Sequence, residues 1–173
     1  VTGLICERGL CQASEESIMA LFPEQAPGGA AGPGGGAGHG EGSIKYHAER
    51  HDGEVPRSAA LDELDRSRGE LFDLGLIGCY PDGVGYGNLS IRHEGPQFLI
   101  TGSGTGHLPR LHHEHWCLVE ECSPETNSVR SRGPTRASAE SMTHDAVYAA
   151  NPTVACVIHI HCLAVFTARV DRV

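Results

Sequence analysis

The sequence is most restrictive in what it lacks. No run of apolar residues reaches the roughly 18 needed to span a bilayer. Glu7, Arg8, Glu15 and Glu16 stand where a secretory apolar segment would lie, so no signal peptide is expected. No block of basic residues offsets the net charge of −9. That argues against nucleic acid and membrane as partners, while leaving room for a local pocket that takes a small anion. C-x-x-C pairs are absent; seven cysteines are scattered at positions 6, 11, 79, 117, 122, 156 and 162. An odd, dispersed set predicts reduced thiols in a cytoplasmic protein. Aromatic residues make up 5% and hydrophobic residues 39% of the chain. Both are low for a filled core, so one folding unit smaller than the full length is expected.

Much of the shortfall lies in the first quarter. Ser14 is placed to cap a short helix over Glu15–Phe22. The stretch 26–42 holds nine glycines and two prolines in 17 positions. Such a segment has little apolar surface to bury and much entropy to lose, so 1–43 reads as a disordered extension. The folded domain is expected over 44–173. An amphipathic helix is predicted over Ser58–Leu76, with Leu61, Leu64, Leu71 and Leu74 forming a stripe that is polar midway. Short strands are predicted at Asn88–Arg92 and Gln97–Ile100, joined by a hairpin at His93–Pro96. Thr101–Gly106 reads as a flexible loop, Pro109–His115 as a helical turn, Trp116–Glu121 as a strand and Cys122–Pro134 as a polar loop or hairpin tip. Ser138 is placed to cap a helix over Ala139–Ala150 that Asn151-Pro152 ends. Val154–His161 is the last clear strand, and Cys156, alternating with Val154 and Ile158, reads as core filler.

That last strand carries the chemistry. His159 and His161 stand two residues apart in VACVIHIHC. On an extended strand they point to one face, with Cα atoms roughly 6.5–7 Å apart, so two imidazoles can converge on one cation. A solvated face would account for the same spacing. Glu140, nineteen residues before His159, sits in the first predicted turn of its helix. It suits a general acid/base or simple dipole stabilisation there. His144, one turn on, can share its face, either as a supporting partner of the site or as a helix-surface histidine. Gly87-Asn88-Leu89-Ser90 and Thr101–Gly106 are glycine-bearing loops whose amides and side chains can cradle a phosphate, or form plain turns. Neither is a G-x-G-x-x-G between strand and helix, so a dinucleotide fold is rejected. His112, His113, His115 and Cys117 fit no zinc spacing and read as a surface turn.

The motifs GNLSIR at 87–92, FLITGSGTG at 98–106, SAES at 138–141, the His144…Tyr148 helix and VIHIH at 157–161 occur in an order that resembles the class II aldolase/adducin superfamily. The resemblance runs from about Leu61 to Phe166. It implies an α/β fold: a three-layer α/β/α domain around a mostly antiparallel sheet, commonly a homo-oligomer, the tetramer being usual. It implies that His159 and His161 ligate a divalent metal, most commonly Zn2+, and that Glu140 is the catalytic acid/base. Asn88, Ser103, Gly104 and Ser138 match positions that hold a substrate phosphate. The expected activity is that of a metal-dependent lyase, epimerase or dehydratase acting on a small phosphorylated sugar through an enediolate. The alternative is a non-catalytic, adducin-like domain or an inactive truncated member. Ala139 stands where relatives commonly have a second serine before the acid. The family's third histidine ligand and last elements lie downstream of the pair, so the N-terminal two-thirds of the domain is expected here.

Overall fold

The structure is a computed structural model that describes residues 4–6, 9–11 and 46–162. The predicted helix at Glu15–Phe22, the glycine-rich stretch and the apolar residues after 162 lie outside the described residues. The chain divides into two compact units, Gly40–Ile160 and the pair Val1–His39 with His161–Val173. In the second, β1 (Leu4–Cys6) and β2 (Gly9–Cys11) pair antiparallel, Leu4 opposite Cys11.

Gly40–Ile160 is built on one mixed sheet of six strands. In chain order these are β3 (His47–His51), β6 (Asn88–Arg92), β7 (Phe98–Thr101), β8 (Trp116–Ser123), β9 (Ser128–Arg132) and β10 (Cys156–His159). Their order across the sheet is β10-β6-β7-β8-β9-β3, antiparallel except for β3 beside β9. A two-stranded ribbon, β4 (Gly78–Cys79) with β5 (Gly85–Tyr86), precedes β6. Among the described residues, two α-helices belong to the unit, α1 (Ala59–Asp73) and α2 (Ser141–Ala150). Sheet and helices together make an α/β arrangement.

Strand alternation assigns each helix its neighbours. On α1, Leu61 and Leu64 pack with Leu89, Leu99, Trp116 and Leu118 in the main core. The alternate residues Ser90, Arg92 and Phe98 meet Tyr148 of α2 instead. Burying these leucines supplies about 1.5–3 kcal/mol each. Helix α1 starts where expected, Ser58 Oγ accepting the amide of Leu61 at 3.1 Å. It ends earlier, at Asp73, because Gly75 turns the chain with φ +69°. Leu74 therefore leaves the stripe and is 71% exposed.

Other boundaries shift for identifiable reasons. The segment read as a polar loop or hairpin tip over 122–134 is a hairpin that contains β9, with the turn confined to 124–127 and Asn127 at φ 48°. β3 escaped the sequence reading because HAERH is wholly exposed and gives no apolar period. It is fixed by its parallel ladder to β9 and by His51 meeting Glu120 at 3.1 Å. The last strand is only Cys156–His159, and its apolar alternation is inverted relative to expectation. Val157 and His159 are buried, whereas Cys156 and Ile158 are exposed. Cys156 is not core filler. The register pairs Val157 with Ser90 and His159 with Asn88, which turns those two onto the face that α2 covers.

Candidate functional site

β10 stops at His159 because its partner runs out. Asn88, opposite His159, is the first residue of β6. Before it, Gly87 adopts φ +75°, and a Cβ there would meet Ile77 Cγ1 at 2.8 Å and the His159 carbonyl at 3.0 Å. Only glycine lets the chain turn so close to β10. Extending the β6–β7 register two pairs past Ser90 opposite Ile100 sets Asn88 level with Gly102. Gly102 in turn bridges antiparallel to Ala137. On that extended register the pairs His159–Asn88 and Gly102–Ala137 fall in one row across four neighbouring segments.

Each member of that row brings a sequence-predicted site residue with it. The Asn88 side-chain amide lies 3.3 Å from Nδ1 of His159, both buried, and Asn88 Oδ1 has no hydrogen-bond partner. Beside Gly102, the amide of Ser103 donates to the Arg136 carbonyl at 2.8 Å. Gly104 follows with φ +79° and open space about its Cα. Beyond Ala137, Ser138 is buried, and its Oγ accepts the amide of Glu140 at 3.3 Å. Asn88, Ser103, Gly104, Ser138, Glu140 and His159 thus all belong to this one end of the sheet or to the turns leaving it. His161 lies beyond the end of β10, is half-buried and belongs to the other unit.

Glu140 differs in local structure from expectation. Helix α2 begins at Ser141, not Ala139, because the Ser138 carbonyl accepts both the amide of Ser141 at 3.1 Å and its hydroxyl at 2.7 Å. That closes a tight turn over 138–141. Glu140 is the residue before the helix, half-buried, and accepts the Thr143 hydroxyl on Oε2 at 3.2 Å. Its carbonyl accepts the amide of His144.

His144 is not a surface histidine. It is fully buried, with Nδ1 2.7 Å from Ser90 Oγ, and Ser90 Oγ is 2.7 Å from the Tyr148 hydroxyl. Burial, reinforced by nearby His159, pushes its pKa down from 6.5 to about 3. The imidazole is neutral near pH 7. Burial also raises the Tyr148 pKa, so the phenol keeps its proton and can donate to Ser90. Ser90 Oγ thus links the phenol to Nδ1 of His144, and Nε2 of that ring has no hydrogen-bond partner. Ser90's place inside GNLSIR and the His144…Tyr148 motif were the sequence signals of this network.

Sequence reading also missed Arg68. It fills the polar midpoint of the α1 stripe, is 1% exposed, and donates to carbonyls of the 105–108 loop. Carbonyls along that loop are therefore engaged rather than free. The histidines at 112–115 form a 3-10 turn, as a surface turn requires. Cys79, Cys117, Cys122, Cys156 and Cys162 are free thiols. Burial pushes Cys117 and Cys122 up to about 12, which makes both unreactive. Among the described residues, no group of three His, Cys, Asp or Glu side chains is gathered for a metal ion, and no helix is long and apolar enough to cross a membrane.

The family model for the class II aldolase and adducin N-terminal domain matches residues 82–170. The chain belongs to this family. The match takes in the row from Asn88 to His159, both glycine-bearing loops and α2. Neither curated proteins nor solved structures yield a match. Within the aldolase/adducin domain, Glu140 precedes the second helix and His159 ends the last described strand.

Proposed function

We propose that this domain is a metal-dependent aldolase-type enzyme that acts on a small phosphorylated sugar by removing a proton next to a carbonyl. The observation that carries the reading is the row His159–Asn88–Gly102–Ala137. It sets an imidazole at one end and, at the other, the two segments that bear Ser103, Gly104, Ser138 and Glu140. The finer fold reading, three layers in the order α/β/α, is supported by α1 and α2 packing against alternate residues of β6.

His159 and His161 are the residues that would hold the cation. Imidazole nitrogens suit Zn2+, and the buried Asn88 amide beside Nδ1 suits the outer partner such a ligand takes. With its amide turned so that Oδ1 faces the ring, Asn88 would accept the Nδ1 proton and leave Nε2 a lone pair. A bound divalent ion would supply Lewis acidity toward a carbonyl oxygen. Glu140 takes and returns the proton; the Thr143 hydroxyl on Oε2 orients its carboxylate. Ser103, Gly104 and Ser138 hold the anionic end through hydroxyl and backbone donors. Neutral His144, tied to Ser90 and Tyr148, fixes α2 and hence the position of Glu140 one turn earlier. A homo-oligomer in the cytoplasm completes the proposal.

The test is the Glu140→Gln variant, assayed on a panel of short ketose phosphates with bound zinc measured on the same sample. Turnover should fall by at least about 10²-fold, the usual weight of a general base, with zinc content unchanged. Full activity in that variant removes Glu140 from the mechanism. A folded wild-type protein that retains no metal favours the non-catalytic, adducin-like reading.

A further inference from the structure

Arg68 stands where the leucine period of α1 calls for an apolar side chain, between Leu64 and Leu71. A guanidinium buried there loses hydration that something must replace. Asp65, one turn earlier, attracts it, but no direct ion pair forms. The replacement comes from the loop after β7. Nη1 donates to the Leu108 carbonyl, and Nη2 to those of Thr105 at 3.0 Å and Gly106 at 3.5 Å. The ring of Phe72 lies 5.1 Å from the guanidinium carbon.

These contacts decide which way the loop's peptides face. In a trans peptide the C=O and the next N–H point in opposite directions. Drawing the oxygens of Thr105 and Gly106 to the helix turns the amides of Gly106 and His107 away from it. Two more carbonyls are occupied inside the loop, that of Gly102 by Thr105 Oγ1 at 2.8 Å and that of Gly104 by His107 Nδ1 at 2.9 Å. The amides of Gly104, Gly106 and His107 donate to no described residue. A loop whose oxygens are engaged and whose N–H groups are unused attracts anions.

We propose that Arg68 is the positioning residue of this anion loop. It touches no substrate; it draws the oxygens of Thr105 and Gly106 toward α1 and so turns the amides of Gly106 and His107 away from that helix, on the loop that Ser103 and Gly104 begin. The inference rests on the anion-site reading given above and extends it to a side chain on a different element.

The experiment titrates the whole chain with inorganic phosphate, followed by amide chemical shifts of residues 104–107, and measures zinc affinity in parallel. Arg68→Met keeps the buried stem but loses every donor. It should weaken phosphate binding by about tenfold or more, as loss of charge-assisted hydrogen bonds implies, with zinc affinity unchanged. Arg68→Lys keeps the charge but cannot span the oxygens of Thr105 and Leu108 together, and should lose about threefold. Unchanged phosphate affinity in either folded variant overturns the role of Arg68 and leaves the anion loop standing. Equal loss of phosphate and zinc binding overturns it too, since that marks a general defect of folding. If the unaltered protein shows no phosphate shifts at 104–107, the anion-site reading itself falls, and this assignment with it.

Discussion

At the scale of single residues, the polar side chains under the sheet matter most. His144 ties stability to pH. The unfolded chain protonates this imidazole near 6.5, whereas the folded protein resists until about 3. Between those values the unfolded state binds more protons, so stability rises with pH and falls on acidification. The contribution is complete above 6.5. In metal-free protein, His144→Gln should flatten the acid limb by up to about 1.4 kcal/mol per pH unit. Urea midpoints from pH 7 to 4 check this, and an unaltered slope would contradict it. Tyr148→Phe leaves Ser90 short of one partner and should cost about 1 kcal/mol. The loss should appear in the same denaturation curves.

At the scale of elements, turns decide what strands and helices present. Gly87→Ala would force a side chain into a positive-φ position already closed by Ile77 and the His159 carbonyl. A loss of about 1–3 kcal/mol is expected, together with weakened amide protection along β10, readable by hydrogen exchange. Replacement with no loss would mean that β10 does not depend on that turn. Ser58→Ala should cost about 1 kcal/mol through the lost cap of α1.

These elements also show what the sequence made legible. Ser58 and the leucines of α1 announced that helix, and the paired apolar runs announced β6 and β7, because local chemistry and core burial agree there. β3 was invisible because His47–His51 contribute backbone hydrogen bonds and no buried side chain. The start of α2 was misplaced because Ser138 closes a turn with its carbonyl as well as its hydroxyl, and both patterns look alike in one dimension. The motif residues could be placed by order, but Arg68 could not, since its partners are carbonyls that carry no sequence signature.

At the scale of the whole molecule, ligand binding should couple to folding. If His159 helps hold zinc, added zinc should stabilise the fold, by about 2.7 kcal/mol at a hundred times Kd, and raise Tm in a concentration-dependent way. His159→Ala should abolish that response, which calorimetry with and without chelator would show. The row that runs from this histidine to Ala137 also acts as a ruler. Neighbouring strands lie about 4.8 Å apart, so the imidazole end and the glycine loop are separated by two such steps, roughly 10 Å. That distance is counted in whole strands and cannot be tuned by small substitutions along them. Ligands of different length must be accommodated by the turns at either end, which are therefore where selectivity for one carbon chain over another has room to evolve.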